Sequence, residues 1–250
     1  MLFILRKLRR SFFVPGKLRT YLAYAIGEIA LIVVGILIAV EIGDGNQARK
    51  NRAEETEILL KLKVDLADTK ANEVETTNQY SNVRDSVMLL VNFIADPSEG
   101  REEDELYELL SKALIYRFYK PSMSTYAEIL KSGNLTLIRS DDLRQALAGL
   151  DEKLKHLETL TQDLFNRWTT VEEPYMVDHI VLSKLAENYN KAKFPDLPFQ
   201  ADSDGFRSRE FANILAGRVI CIDDIVLWAG RVAADIENCL ELIDAELAER

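Results

Sequence analysis

The chain has 250 residues, 48% hydrophobic and 29% charged, with a net charge of −10. Beyond residue 42 there are 25 Lys and Arg against 39 Asp and Glu. That acidic excess repels phosphate backbones, so no nucleic-acid partner is expected, and it reads as a solvated surface that keeps a domain soluble.

The first twenty residues carry Arg6, Lys7, Arg9, Arg10, Lys17 and Arg19 and no acid. Within MLFILRKLRRSFFV these bases alternate with Leu, Ile and Phe, a pattern suited to a short helix on the inner membrane surface, ended by Pro15-Gly16. Residues 21–42 follow as one apolar run, long enough to cross a bilayer and longer than the core of a cleavable signal peptide. No small-x-small cleavage site follows it. A retained transmembrane helix is therefore expected, with the basic N-terminus in the cytoplasm and the large C-terminal portion in the periplasm.

Glu28 breaks the apolar run. An ionisable group in a span faces protein or water rather than lipid. Helical spacing places Tyr24, Glu28, Leu31, Gly35 and Ala39 on one face of small and polar residues, opposite Leu22, Ile29, Val33, Ile36 and Val40. The first face reads as a docking surface for another transmembrane helix or a second copy of the chain, and the competing reading is a carboxyl that snorkels to the headgroups.

Residues 43–53 read as a juxtamembrane linker, with Gly43 and Gly45 as the expected bend. Residues 54–250 are long enough for one domain, and their apolar spacing is helical throughout. A helix is predicted over 54–94, with a core stripe of Leu59, Leu62, Leu66, Tyr80, Val83, Val87 and Leu90. Thr69, Glu73 and Thr76 interrupt that stripe, implying either a break or an exposed middle. Shorter helices are predicted over 102–118, 125–131 and 174–189, with turns at Asp96-Pro97-Ser98 and Ser132-Gly133-Asn134.

Ser140 is the expected N-cap of a long helix whose stripe runs Leu143, Leu147, Leu150, Leu154, Leu157, Leu160, Leu164, Trp168 and Val171. After an irregular stretch over 193–205, Phe211, Leu215, Ile222, Ile225, Ala229, Val232, Ile236, Leu240, Ile243 and Leu247 mark the last helix. The predicted fold class is all-α: an N-terminal single transmembrane helix followed by an antiparallel helical-bundle exterior domain.

Catalytic signatures are missing from the sequence. His156 and His179 stand apart without a ligand set, Gly133 has no companions of a phosphate loop, and neighbouring acids such as Asp141-Asp142 point to different sides of a helix. Cys221 and Cys239 lie eighteen residues, or roughly 27 Å, apart on one helix, beyond disulfide reach, and are expected as two buried free thiols. Neither a metal nor a cofactor is expected.

Two stretches carry a resemblance. Tyr24-Ala25-Ile26-Gly27-Glu28-Ile29 with Val34-Gly35-Ile36-Leu37-Ile38-Ala39, and Thr125 to Leu135 followed by Leu137-Ile138 and Leu143-Arg144, resemble an uncharacterised Gram-negative bacterial family, domain of unknown function 6090. Where members often have an Asn-rich, Trp-containing exit from the membrane, this chain reads Glu41-Ile42-Gly43-Asp44-Gly45-Asn46. The resemblance implies a single-pass inner-membrane protein with a helical periplasmic domain, and it brings no catalytic residue. The expected function is that of a non-enzymatic assembly or accessory protein, such as a subunit of a respiratory or photosynthetic membrane complex. The alternative is a periplasmic sensory or ligand-binding domain signalling through a partner membrane protein.

Overall fold

The computed structural model describes residues 17–121, 123–195, 198 and 205–249, with side chains described from Leu22 onward except Ala23. Among the described residues there is no strand. The helices are α1 (Lys17–Ala95), α2 (Glu103–Ala113), α3 (Ser124–Ser132), α4 (Asp141–Arg167), α5 (Glu173–His179), α6 (Leu182–Asn190) and α7 (Arg209–Ala248). A 3-10 turn over Asn134–Leu137 precedes α4, and a π turn over Trp168–Glu172 joins α4 to α5. The chain divides into two compact units, one ending at Glu55 and one spanning Thr56–Arg250.

In the first unit α1 is helical through Gly43 and Gly45 and over the whole expected linker. Helical hydrogen bonding thus runs on through both: a helical glycine costs only about 1 kcal/mol, and the flanking residues carry the helix across.

The second unit is built by helices whose ends are specified locally. Ser140 Oγ accepts from the Leu143 amide at 3.2 Å, as expected, and Asp141 and Asp142 add negative charge to the first turn. Ser208 caps α7 in the same way, accepting from Phe211 N at 2.9 Å. Gly133 ends α3 in the left-handed region at φ 73°, a conformation that favours glycine. In the turn after α1, Asp96 Oδ1 accepts from the amide and the hydroxyl of Ser98.

The core is one cluster. Leu59, Leu62, Leu66, Val83, Val87 and Leu90 of α1 meet Leu143, Leu147, Leu150, Leu154, Leu157 and Leu164 of α4 and Phe211, Leu215, Ile222, Ile225, Val232, Ile236 and Ile243 of α7. Lys153 pairs with Asp235 and the His156 ring lies against Trp228 across α4 and α7. Lys63, Lys70 and Arg84 of α1 reach Asp244, Glu237 and Asp223 of α7.

Several elements differ from the sequence reading. The middle of α1 neither breaks nor faces solvent, because Thr69, Glu73 and Thr76 are buried on the core stripe. The predicted 102–118 helix stops at Ala113, and the carbonyls beyond it are taken by side chains of other elements. The predicted 174–189 helix divides at Ile180-Val181, where a β-branched pair is extended and the Val181 amide donates to Tyr107 Oη at 2.9 Å. Only Cys239 is fully buried, while Cys221 is intermediate. The stripe of α4 ends differently as well: beyond Leu164 the next fully buried position is Glu172, at the end of the π turn, and Val171 is exposed.

That difference makes a prediction. Val171→Asp should change stability by no more than about 0.5 kcal/mol, whereas Leu164→Asp should cost more than about 4 kcal/mol by placing an unpaired charge in the core. Denaturant unfolding of the full chain in detergent, followed by circular dichroism, measures both, and equal losses would place Val171 in the core.

Candidate functional site

Of the predicted site residues, Tyr24, Glu28, Leu31, Gly35 and Ala39 lie on one unbroken stretch of α1 at steps of four, three, four and four. That spacing keeps them on one side of the helix. All five are exposed, Tyr24 at 79% and Leu31 at 76%, and a Cβ added at Gly35 would meet nothing within 4 Å. The opposite face is exposed too, with Leu22, Ile29, Val33, Ile36 and Val40 all open. Among the described residues this is the one helix long and apolar enough to cross a membrane, and none of its apolar window is buried. Of the basic cluster, Arg6, Lys7, Arg9 and Arg10 lie outside the described residues, and Lys17 and Arg19 are helical with side chains outside the description.

The second unit concentrates its unusual chemistry in the core. Arg218 is fully buried on α7, between Leu215 and Ile222 on the core stripe. Its Nε donates to the Ala113 carbonyl at 2.6 Å, Nη2 to the Ile115 carbonyl at 2.7 Å, and Nη1 to Glu172 Oε2 at 2.5 Å. Glu172, also fully buried, takes Arg167 Nε at 3.2 Å on its other oxygen. Arg167 Nη2 continues to the Ile214 carbonyl at 3.1 Å, and its guanidinium lies over Gly217, where an added Cβ would make it shift. Burial pushes the Glu172 carboxyl up and the Arg218 guanidinium down, and each partner's charge opposes the other's shift.

This arrangement fastens α7 to the chain that leaves α2 and to the π turn. Tyr80 of α1 ties the same segment from the other side, donating to the Arg117 carbonyl at 2.7 Å and accepting from its amide at 3.2 Å. Each ionic group is bonded to another of them and each guanidinium to backbone as well, so their geometry is that of a clamp. Among the described residues no group of three His, Cys, Asp or Glu could hold a metal ion.

A second polar layer crosses the core nearby. Glu73 and Tyr119 are buried, and neither the carboxylate oxygens nor the phenol oxygen completes a hydrogen bond of ordinary geometry within the protein. Thr161 Oγ1 accepts from the Tyr119 amide at 3.2 Å and donates to the Glu158 carbonyl at 2.9 Å. Burial pushes the Glu73 carboxyl up, with the neighbouring Tyr119 hydroxyl working in the opposite sense. Burial first, and the Glu73 carboxyl second, push the Tyr119 phenol up.

The model of a family of unknown function (DUF6090) matches residues 28–170. The chain belongs to this family. No curated protein and no solved structure matches the chain. The match to DUF6090 takes in Glu28 and the rest of the proposed docking face from there onward, together with α2, α3 and α4. It ends within the π turn, two residues before Glu172, so Arg167 and the Ala113 and Ile115 carbonyls of the clamp fall inside the matched range of this DUF6090 chain, and Glu172 and Arg218 beyond it.

The sequence reading passed over Glu172 and Arg218. Arg218 had a signal, since Leu215 and Ile222 are two helical turns apart and the position between them on the stripe is an arginine. Glu172 had one too: it stands eighteen residues, or five whole helical turns, after Leu154, but the expected stripe ends at Val171.

Two outcomes test these groups. Arg218→Met should destabilise the second unit by about 3 to 5 kcal/mol, since Glu172 and two carbonyls lose their buried donor. Adding Glu172→Leu should recover part of that loss; denaturant melts of the single and double variants measure it. For Glu73 the sign follows from the raised pKa: the folded state holds its proton more tightly than the unfolded chain. Its contribution is fully present below the ordinary value of 4.5 and is lost as pH rises through the folded-state pKa. Glu73→Gln should therefore remove a decline of stability with rising pH above 4.5, and melting curves across that range of identical slope in both proteins would refute it.

Proposed function

We propose that this protein is a membrane-anchored accessory protein that works through protein contacts. One helix holds it in the bilayer, and an antiparallel helical bundle carries the remaining contacts. The observation that carries the reading is the helix of residues 21–42, apolar around Glu28 and with none of its apolar window buried among the described residues, while the second unit has a core of its own. Such a helix loses nothing by facing lipid and is a liability in water.

The order of the cross-pairs supports the antiparallel arrangement. Along α1, Lys63, Lys70 and Arg84 meet Asp244, Glu237 and Asp223 in falling order of α7, and Lys153 and Arg167 of α4 meet Asp235 and Ile214 likewise. The acid-free basic N-terminus supports a cytoplasmic start and a second unit on the far side of a bacterial inner membrane. Glu28, with Gly35 and Ala39 on its face, supports docking of another transmembrane helix, because small residues let backbones approach and a carboxyl bonds across the interface.

The test has two readouts on one membrane preparation. Protease added to intact spheroplasts should degrade the second unit, and digestion only after lysis would refute the topology. In mild-detergent pull-downs with mass spectrometry, Glu28→Leu, Gly35→Leu and Ala39→Leu should lower recovery of the associated membrane protein, whereas Val33→Leu and Ile36→Leu should not. Interhelical polar bonds are worth about 0.6 to 2 kcal/mol, so the steric change at Gly35 should be at least as damaging as loss of the carboxyl. Equal recovery with all five would remove the docking face.

A further inference from the structure

Within the second unit α1 carries two apolar faces. One is the core stripe. Diametrically opposite, Leu60, Val64, Ala67, Ala71 and Val74 form an exposed line at steps of four, three, four and three, with Leu60 at 52%, Val64 at 60% and Val74 at 53% exposure. This is the spacing of a coiled-coil seam, with Val64 and Ala71 at a positions and Leu60, Ala67 and Val74 at d positions. The next a position is Asn78, also exposed, the residue type that sets register in two-stranded coils.

The flanks of the seam say what covers it. The g positions are Lys63 and Lys70, and the e positions five residues further on are Asp68 and Glu75. In a parallel, in-register pair, each g residue faces the e residue of the next heptad on the other helix. Lys63 would then face Asp68 of a second copy, and Lys70 would face Glu75, twice over by symmetry. In the opposite orientation lysine would face lysine and acid would face acid. Lys63 and Lys70 already meet Asp244 and Glu237 of their own chain, and Glu75 meets Arg117. An ammonium has three donors and a carboxylate four acceptor sites, so each can serve both partners.

We propose that the α1 seam Leu60–Val64–Ala67–Ala71–Val74 is a homodimer interface, formed by a parallel, in-register coiled coil with a second copy of this chain. The inference stands on the second unit alone. A seam of fewer than three heptads associates weakly in dilute solution, and confinement of both copies to one bilayer, as the functional reading has it, raises their effective concentration.

The test uses the full chain in membranes with Cys221→Ser, leaving Cys239, which is fully buried. Leu60→Cys and Val74→Cys, introduced singly and oxidised with copper phenanthroline, should each give a disulfide-linked dimer. The off-seam control Glu152→Cys on the exposed side of α4 should not. Residues 60 and 74 are roughly 21 Å apart along the helix, so crosslinking only in a mixture of the two variants would mean the antiparallel pair and overturn the proposal. No crosslink at either position, or an equal one at Glu152→Cys, would overturn it too.

Ala67→Asp should lower the Val74→Cys dimer yield by about tenfold without moving the melting curve, because the position is exposed. Lys70→Glu should lower the yield severalfold, and adding Glu75→Lys should restore it, although both changes break pairs within the chain. Failure to restore would overturn the register. With Gly35→Leu present the Val74→Cys dimer should persist. Its loss would assign the contact to the membrane span and remove the seam, whereas persistence alongside unchanged pull-downs would remove the docking face and keep the seam.

Discussion

A guanidinium sealed from water at position 218 is the constraint around which the second unit is organised. Once Arg218 occupies the core stripe of α7, its donors must be met inside the protein, and the acceptors available are backbone carbonyls and one carboxylate. Meeting them ends α2 at Ala113, since the carbonyls of Ala113 and Ile115 turn to the arginine. The π turn stands beside the same group: it ends at Glu172, the carboxylate that Arg218 meets, while Val171 before it is exposed. Two irregularities in an otherwise regular helical chain thus meet at one buried guanidinium.

The polar layer of Thr69, Glu73, Thr76, Tyr119 and Thr161 is of another kind. Each threonine for which a bond is assigned closes on backbone of its own helix, Thr69 onto Asp65 and Thr161 onto Glu158, so these side chains sit among apolar neighbours at little desolvation penalty. Glu73 has no such local outlet. Burial pushes its carboxyl up with only the Tyr119 hydroxyl opposing, whereas Glu172 has two guanidinium groups beside it.

What could be read from the sequence was whatever repeats. The stripes of Leu143 to Leu164 and Phe211 to Ile243, the Ser140 cap and the apolar run of residues 21–42 all express local periodicity or local capping, and the structure has them in place. What could not be read depends on partners distant in sequence: the early end of α2, the break at Ile180-Val181 and the pairing of Glu172 with Arg218. The polar middle of α1 was misjudged for a related reason, as a stripe scored by apolar residues treats Thr69, Glu73 and Thr76 as gaps, although helical phase alone kept them inward. The opposite face of α1 was legible by the same phase, but a sequence does not show which of two apolar faces its own core takes.

The position of Cys239 has a kinetic consequence. The thiol is fully enclosed on α7, five whole turns from the partly accessible Cys221, and burial with the nearby Asp235 charge pushes its pKa up to about 12. In the closed protein it is neither reachable nor a thiolate, so a thiol reagent can modify it only during an opening that exposes the C-terminal part of α7. The chain therefore carries a native clock: the rate at which Cys239 is labelled reports how often the core of the second unit opens, while Cys221 on the same helix reports surface access.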